Sequence, residues 1–389
     1  MEKIKLGLSL LAVTFLVYIF TFYVDGEMGI ILISFVVIAP LISLALAVYA
    51  RKNIKLTFDC DAYVPKGKKL KIRVKAEKKG VIPFGIIEIK PYMSEVFAEN
   101  VKVYRFSMLK EEIKEFVIEA DAQVGGNGEI GIESAWSCDF LGFFRLKLKT
   151  GIQPNILVGV IPEIPDVKAS SELVRSIANV VATSENDEDN DTSMMFSSNT
   201  TPGYEHREYV QGDPLKRVNW KLSSKKSVLM VRLDEAAASV QPVVILDLYR
   251  NEKSEPKNSI RLEERIICAV FGFISALIKQ GIACNFIFKG NTGDAVSESI
   301  DDPDYIEQVL LKVLAVKVEK GQRLDIRRFS DSVCACVAAT TDAGEGFSAV
   351  LDAVGECESV TLIGDSVRTV NKTSYPLWFL DDDNNFKLV

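Results

Sequence analysis

Two long apolar runs at the N-terminus constrain the fold of this chain more than any other feature. They extend over Leu6–Val24 and Ile30–Tyr49, nineteen and twenty residues without a charged side chain. As a helix, each run reaches about 30 Å, which matches the hydrocarbon thickness of a bilayer. The short turn Asp25–Gly29 separates them. The sequence therefore predicts a transmembrane hairpin within residues 1–52.

Charged residues on the flanks of the two runs predict their orientation. The charges in the connecting turn are acidic, whereas positive residues stand outside both runs at Lys3, Lys5, Arg51, Lys52 and Lys55. Because positively charged flanks stay in the cytoplasm, both termini and the large body that follows should be cytoplasmic. The sequence predicts a two-pass protein of the cell membrane that contacts the lipid bilayer through residues 6–49.

Cysteine, histidine and charge content limit the chemistry of the cytoplasmic body. Seven cysteines lie at scattered positions, a pattern that favours buried thiols in a reducing compartment over a disulfide framework. A single histidine argues against a zinc or haem site. The net charge of −7 argues against nucleic acid as a partner. No glycine-rich phosphate loop is present, and we predict no cofactor.

Composition divides the body into three parts. Residues 53–165 alternate apolar and polar side chains over short runs with turn formers between them, which is typical of a β-sandwich domain. Residues 166–202 are predicted to be a linker, because Thr183–Pro202 is acidic, rich in serine, threonine and asparagine, and without periodicity. Residues 203–389 combine a polar and aromatic block with alternating strands and helices.

The alternation beyond residue 240 predicts a doubly wound α/β domain. The predicted strands are Pro242–Leu248, Ala283–Lys289, Ser332–Ala339, Val360–Gly364 and Leu377–Leu380. The predicted helices are Arg261–Lys279, Asp304–Val318 and Gly346–Val354. We therefore expect a multidomain chain with a two-helix hairpin, a β-sandwich and a doubly wound α/β domain.

The densest group of polar and aromatic residues lies within residues 203–235. The segment from Glu205 to Arg232 contains seven lysines and arginines but only three acidic residues, although the net charge of the whole chain is −7. The residues that define this block are Arg207, Glu208, Tyr209, Gly212, Asp213, Arg217, Asn219, Trp220, Ser223 and Arg232. Such residues either lock a loop onto a domain through charge-assisted pairs or anchor a protein interface. A domain joint and a partner-binding surface both stay open as interpretations.

This block resembles the signature of the domain of unknown function 58 family. The resemblance lies in a fixed spacing of arginine, tyrosine, glycine–aspartate, arginine and tryptophan before a Leu-x-Val-Arg strand, namely Arg207, Tyr209, Gly212, Asp213, Arg217, Trp220 and Leu229–Arg232. Two upstream segments are similar to family motifs as well. Cys138–Phe144 is similar to an Asp-Pro-Phe-Gly-Leu-Phe turn without its proline, and Val158–Pro162 to a Val-x-Pro strand.

The resemblance implies an architecture and a set of partners. Members of this family have a hairpin of two membrane spans and a C-terminal domain that resembles a von Willebrand factor A domain. They are associated with MoxR-type AAA+ ATPases and often with transglutaminase-like membrane proteins. The resemblance thus implies a non-enzymatic scaffold or adaptor in the assembly or maturation of membrane and cell-envelope complexes.

A metal site of the von Willebrand type needs Asp-x-Ser-x-Ser at the end of the first strand of the α/β domain. The corresponding segment, Asp247–Asn251, keeps the aspartate and lacks both serines, whereas Mg²⁺ requires several oxygen ligands. Arg250 would supply a cation in place of the metal. We therefore predict a degenerate site at Asp247 that holds no metal, with the carboxylate paired to a basic neighbour.

Two alternative functions stay open beside the scaffold. A hydrolase could use Glu208, Asp213 and Ser223, although no nucleophile and base stand in a recognised arrangement, so no catalytic residue is assigned. The basic segment Lys221–Lys226 could instead bind anionic lipid headgroups. A pocket that collects the three hydrolase residues would favour an enzyme, and a packed joint would exclude it.

Overall fold

The computed structural model of the chain describes residues 2–23, 26–98, 102–109, 112–149, 151–190, 200–210, 218–236, 241–251, 255–291, 293–326, 333–344, 346–352, 357–365 and 375–389. The chain forms two compact units, Met1–Glu163 and Ile164–Val389. The division lies next to residue 165, where the alternating pattern of the predicted β-sandwich ends.

Two helices, α1 (Glu2–Tyr23) and α2 (Gly26–Asn53), begin the first unit. They approach closely where Gly29 lies against Thr21, since a side chain at position 29 would collide with that threonine. Among the described residues, α2 is the one helix long and apolar enough to cross a membrane. Its apolar side chains up to Ile42 are mostly exposed, as is typical of a helix that lipid surrounds. These properties are consistent with membrane anchoring.

The rest of the first unit is β-rich. Its strands are β1 (Ile54–Asp59), β2 (Tyr63–Pro65), β3 (Lys69–Lys78), β4 (Phe84–Met93), β5 (Tyr104–Met108), β6 (Ile113–Asp121), β7 (Gly126–Cys138), β8 (Arg145–Lys147) and β9 (Ile156–Ile161). One sheet has the order β1-β3-β6, and the other the order β2-β9-β7-β4-β5 with β8 paired to β7. The two sheets account for the alternating pattern that the sequence shows after residue 53.

Alternating side chains explain how the two sheets share a core. In β3, Leu70, Ile72 and Val74 are buried while the residues between them are exposed, as a strand with one face on a core requires. The Phe116 ring of β6 lies 5.8 Å from the Tyr104 ring and 5.4 Å from the Phe106 ring, both in β5. The prediction of a sandwich-like β region is therefore confirmed.

The second unit is an α/β region. Its elements are α3 (Glu172–Asn190), β10 (Thr200–Glu208), α4 (Trp220–Lys226), β11 (Met230–Ala236), β12 (Val243–Asp247), α5 (Pro256–Lys279), β13 (Cys284–Lys289), β14 (Ala295–Ile300), α6 (Pro303–Leu314), β15 (Val333–Thr340), α7 (Phe347–Asp352), β16 (Cys357–Ile363), β17 (Leu377–Leu380) and β18 (Phe386–Leu388). The main sheet has the order β14-β13-β12-β15-β16-β17-β18. Its inner strands are parallel, and β14 and β18 pair antiparallel at the two edges.

Helix α5 packs an apolar face against this sheet. Phe271 and Phe273 are fully buried, and the Phe271 ring lies edge-on to the Phe286 ring of β13 at 5.4 Å. Gly272 has no room for a side chain, because a Cβ would lie 2.8 Å from Val167. Because the inner strands run parallel, their carboxyl ends meet at one edge of the sheet, where functional side chains commonly lie.

The linker predicted over residues 166–202 is wrong for its first part. Helix α3 continues through the acidic residues 183–190, and Leu173, Val174 and Ile177 are fully buried. The hydroxyl of Ser171 accepts a hydrogen bond from the Phe386 N–H at 3.0 Å. An apolar face at helical spacing holds the first turns in the α/β unit, and the acidic residues extend the same helix.

Candidate functional site

The block found in the sequence forms a small module of two strands and one short helix. Strand β10 pairs antiparallel with β11, and α4 lies between them in the chain. A bridge between Val218 and Val231 attaches the segment before α4 to β11. We call the described residues 200–210 and 218–236 the signature module.

Asn219 holds the start of α4 in place. Its backbone N–H donates to the carbonyl of Met230 at 2.9 Å. Its side-chain oxygen accepts from the Leu222 N–H at 3.1 Å, as an N-cap asparagine does. Its side-chain nitrogen lies 2.9 Å from Nε2 of His206 in β10. Asn219 thereby connects the helix to both strands of the module.

Ser223 is buried, and its hydroxyl serves the backbone. The hydroxyl donates to the Asn219 carbonyl at 2.8 Å and accepts from the Met230 N–H at 2.8 Å. These two bonds tie α4 to β11 and direct the oxygen at main-chain groups, whereas a nucleophile needs a base beside it. Glu208 is exposed at the end of β10. The structure therefore gives Ser223 a role in holding the module together.

The other predicted residues of the module differ in how much the structure shows of them. Three of them lie outside the described residues, namely Gly212, Asp213 and Arg217. The backbones of Arg207 and Arg232 lie in the paired strands β10 and β11, and their side chains are not among the described groups. Tyr209 is half-buried, and its N–H donates to the Leu229 carbonyl at 2.8 Å.

The signature module exposes several apolar side chains to solvent. Trp220 is 62% exposed, although burial is the usual state of so large an aromatic side chain. The exposed apolar residues are Val210, Trp220, Val228 and Leu229, and Lys221, Lys225 and Lys226 are exposed on α4. We call these residues the Trp220 face. An exposed tryptophan beside lysines on a fixed framework has the composition of an interface anchor.

A second cluster lies at the carboxyl end of β12. Asp247 is 1% exposed and accepts three hydrogen bonds. The donors are Nη1 of Arg323 at 2.8 Å, the Leu324 N–H at 3.2 Å and the Thr340 hydroxyl at 3.2 Å. Burial raises the pKa of Asp247, while the Arg323 guanidinium and the hydrogen bonds from Leu324 and Thr340 oppose that shift. The carboxylate thus lies in a closed network.

The guanidinium of Arg323 forms an ion pair with the Asp247 carboxylate. Its guanidinium also lies over the Tyr249 ring, 4.0 Å from the ring centroid, which is cation–π geometry. A divalent cation at this carboxylate would have to displace Arg323 and find further oxygen ligands. Among the described residues, no group of three or more His, Cys, Asp or Glu side chains converges as metal ligands.

The expectation that Arg250 would supply the cation for Asp247 is wrong. Arg250 pairs instead with both carboxylate oxygens of Glu263 in α5, with Nη2 to Oε2 at 2.7 Å. Glu263 is 2% exposed, so this is a second buried ion pair. Thr340 could have been found from the sequence, because it is the last residue of β15, the strand next to β12, and lies opposite Asp247. Arg323 lies in a segment without a recognisable pattern.

The buried cysteines are poorly suited to chemistry. Burial raises the pKa of Cys284 and of Cys336 to about 12. Both thiols are therefore protonated at neutral pH, whereas nucleophiles and metal ligands react as thiolates. These cysteines act as small apolar side chains of the sheet.

Comparisons with known proteins add little to the geometry. No protein family and no curated protein matches the chain. Of the solved structures, the CARDB domain of a Pyrococcus furiosus protein in complex with di-metal ions is 16% identical, with 28% of this chain and 94% of that chain covered and a TM-score of 0.23. The cohesin module of a Clostridium perfringens family 33 glycoside hydrolase is 12% identical, with coverage of 28% and 98% and a TM-score of 0.24. At these TM-scores, neither likeness carries a conclusion.

Proposed function

We propose that this chain is a membrane-anchored, non-enzymatic scaffold or adaptor. In this proposal it binds a MoxR-type AAA+ ATPase, and with it a transglutaminase-like membrane protein, during the assembly or maturation of membrane or cell-envelope complexes. The Trp220 face is the observation that carries the proposal. The partner class rests on the resemblance of the signature block to the domain of unknown function 58 family.

The contacts within the signature module support binding over catalysis. Asn219 and Ser223 use their polar groups to fix α4 against β11, which leaves Trp220 on a preorganised backbone. Preorganisation lowers the cost of binding, because little conformational freedom is lost. The hydrolase alternative has less support, since the Ser223 hydroxyl is engaged by main-chain groups.

The membrane anchor in this proposal consists of both N-terminal helices, with both termini in the cytoplasm. The length and apolar surface of α2 support it, as does the close approach of α1 and α2 at Gly29. Arg51 and Lys52 in the last turn of α2 provide the positive flank expected on the cytoplasmic side.

The α/β region is, in this proposal, a von Willebrand factor A-like domain that binds its partner without a metal. The parallel inner strands of the sheet and the position of Asp247 at the end of β12 support this assignment. The Arg323–Asp247 pair closes the place where such a domain would hold a metal ion. Partner recognition is therefore assigned to the Trp220 face.

Affinity purification of the tagged full chain at native expression tests the proposal. We expect a AAA+ ATPase to copurify from detergent extracts, and Trp220→Ala to reduce its recovery about tenfold or more, as loss of an interface anchor does. Tyr375→Ala is the matched control, since Tyr375 is an aromatic residue of the same unit that is 41% exposed. The absence of any ATPase partner of the unsubstituted chain would overturn the proposal.

The exposed lysines of α4 favour an anionic membrane surface as a second candidate partner. Lys221, Lys225 and Lys226 are exposed on the same short helix as the exposed Trp220, and each lysine near an anionic surface contributes about 1 kcal/mol. Replacement of the three lysines by glutamine should then weaken the contact of the signature module with the surface of vesicles that contain phosphatidylserine. Recovery of the ATPase by the same variant would separate the two functions.

A further inference from the structure

The turn between β7 and β8 is fastened to helix α2. This turn, residues 139–144, belongs to the segment that is similar to the Asp-Pro-Phe-Gly-Leu-Phe motif. The Ser43 hydroxyl of α2 donates to Oδ2 of Asp139 at 2.8 Å and accepts from the Phe140 N–H at 3.0 Å. Two residues before Asp139, the Ser137 hydroxyl of β7 donates to the Ala47 carbonyl at 3.2 Å. These bonds fix the level of the turn along α2.

Inside the turn, the polar groups are enclosed and the apolar side chains face outward. Asp139 is 1% exposed and accepts from the N–H groups of Leu141 at 3.2 Å and Phe144 at 2.7 Å. By contrast, Phe140 and Leu141 are each 46% exposed and Phe144 is 37% exposed. Such an arrangement is costly in water, and it suits an apolar surrounding, where main-chain and carboxylate groups need internal partners.

The position of Ser43 on α2 sets the depth of the turn. A membrane span takes about 20 residues at 1.5 Å each. A span that starts at Gly26 ends near residue 45, and one that fills Ile30–Tyr49 ends four residues later. Ser43 therefore lies about 3 Å or about 9 Å inside the cytoplasmic limit of the hydrocarbon layer. In both registers, the turn that Ser43 holds lies at or below the lipid headgroups.

A second loop of the first unit lies near the end of α2, at the headgroup level that this depth implies. The Tyr49 hydroxyl donates to the Lys79 carbonyl at 3.4 Å, six residues along α2 from Ser43 toward the cytoplasm. Next to this contact, Val81 is 94% exposed. Lys79 and Lys52 are exposed in the same region, as expected where lysines meet anionic headgroups.

We propose that the turn 139–144 inserts Phe140, Leu141 and Phe144 into the cytoplasmic leaflet beside α2. The inserted turn gives the β region a second attachment to lipid and fixes its orientation on the membrane. The inference rests on the proposed membrane anchor, because the depth of the turn is measured along α2. The inserted side chains would contact lipid, in the interfacial and acyl-chain region of the bilayer.

Site-specific photocrosslinking of the full chain in membranes tests the insertion. Benzoylphenylalanine is placed singly at Phe140 and at Leu141, and adducts are identified by mass spectrometry after illumination. Leu41 on α2, which is 61% exposed, reports on the anchor itself. Val117 of β6, which is 52% exposed, serves as the control outside the turn. It lies opposite Arg73 of β3, which in turn lies opposite Asp59, at the end of β1 that is farthest from α2.

Lipid adducts at Leu41, Phe140 and Leu141, and several-fold fewer at Val117, would support the proposal. Lipid adducts at Leu41 with protein adducts, or none, at both turn positions would overturn the insertion and leave the anchor intact. The absence of lipid adducts at Leu41 would overturn the anchor and the insertion with it. Because either turn position alone can report lipid, one variant that fails to fold does not end the test.

Discussion

Two buried aspartates, Asp139 in the first unit and Asp247 in the second, show two ways of keeping a carboxylate out of water. Each is 1% exposed. Asp139 accepts hydrogen bonds from neutral groups, the Ser43 hydroxyl and main-chain N–H groups of its own turn. Asp247 accepts from the Arg323 guanidinium in addition to an N–H and a hydroxyl.

Both carboxylates hold distant segments together, and they differ in the charge of the group that comes from afar. Asp139 accepts from main-chain N–H groups within five residues of it and from the neutral hydroxyl of Ser43, 96 residues away, so it shapes a local turn and fastens it to α2. Asp247 draws Arg323 and Thr340 from 76 and 93 residues away, so it joins distant parts of the α/β region. A buried charge that joins distant segments is costly when its partner is lost, because the charge then remains without compensation.

Removal of Arg323 should have the largest effect. Arg323→Met keeps the length of the side chain and leaves Asp247 as an unpaired buried acid. We expect the free energy of unfolding of the α/β region to fall by about 3–5 kcal/mol. Denaturant unfolding of the full chain in detergent, followed by hydrogen exchange of peptides that contain β12, measures this loss.

Arg265→Met is the matched control for this variant. Arg265 pairs with Asp365 at 3.3 Å and its side chain is 67% exposed, so its loss should cost about 1 kcal/mol or less. Addition of Asp247→Leu to Arg323→Met should restore part of the stability, because a pair of apolar side chains removes the unpaired charge. Equal losses for Arg323→Met and Arg265→Met would contradict the assigned role of Arg323.

Removal of the acid from the first unit should have a smaller effect. Asp139→Ala takes the acceptor from the Leu141 and Phe144 N–H groups and from Ser43, which should cost about 1–3 kcal/mol. Faster hydrogen exchange at these two amides, and cleavage of the turn by protease, would report the loss. Asp139→Asn retains one acceptor oxygen and should lose less. Unchanged exchange at both amides in Asp139→Ala would show that the carboxylate does not organise the turn.

The sequence predicted elements best where the apolar pattern was strong. The strand Leu377–Leu380 and the strands around Val243 and Cys284 lie where the pattern placed them. Strand β14 (Ala295–Ile300) was missed, because a polar edge strand buries little and shows no clear alternation. The helical nature of residues 183–190 was missed because an acidic segment, read alone, does not reveal the apolar face of the helix that it extends.

The sites were predicted less completely than the fold, because their partners lie far apart in sequence. Asp247 was singled out because the resemblance to a von Willebrand factor A domain implies an aspartate at the end of the first strand of the α/β domain. Its partner Arg323 could not be found, since no spacing relates two residues 76 positions apart. Asn219 and Ser223 were singled out as motif residues, but the sequence could not show that their polar groups face the backbone while Trp220 faces solvent.

Ser223 extends the comparison to a buried group that carries no charge. Ser223→Ala removes the bonds to the Asn219 carbonyl and the Met230 N–H, and we expect a loss of about 1 kcal/mol in the stability of the signature module. Ser224→Ala is the neighbouring control, since the exposed Ser224 hydroxyl donates to the Lys221 carbonyl at 3.0 Å. Hydrogen exchange of peptides that contain α4 and β11 measures both. A larger effect at Ser224 would contradict the role given to Ser223.

The smallest expected effect is the change with pH in the stability that Asp247 contributes. The sign of this change distinguishes the buried Asp247 from Glu298, a more exposed acid of the same unit. Burial raises the pKa of Asp247 above its ordinary value of 3.8, so the folded chain holds this proton more tightly than the unfolded chain. The contribution of Asp247 to stability therefore falls as pH rises through the window above 3.8.

Glu298 is the opposite case, because hydrogen bonds from Lys312 and Tyr305 lower its pKa below 4.5. Its contribution is present above 4.5 and is lost as pH falls through the lowered pKa.

Unfolding of the full chain between about pH 3 and about pH 6 checks these two signs. The stability of the unsubstituted chain relative to Asp247→Asn should decrease as pH rises, and its stability relative to Glu298→Gln should increase. Asp247→Asn also loses the ion pair with Arg323, which lowers its stability by a constant amount. This does not affect the test, because the prediction concerns the slope of stability against pH. Slopes of the same sign for the two variants would mean that the Arg323 guanidinium outweighs burial at Asp247. The Asp247 carboxylate would then form a stabilising ion pair with Arg323 over this whole pH range. The two buried aspartates would in that case differ only in that Asp247 has a charged donor, whereas all donors to Asp139 are neutral.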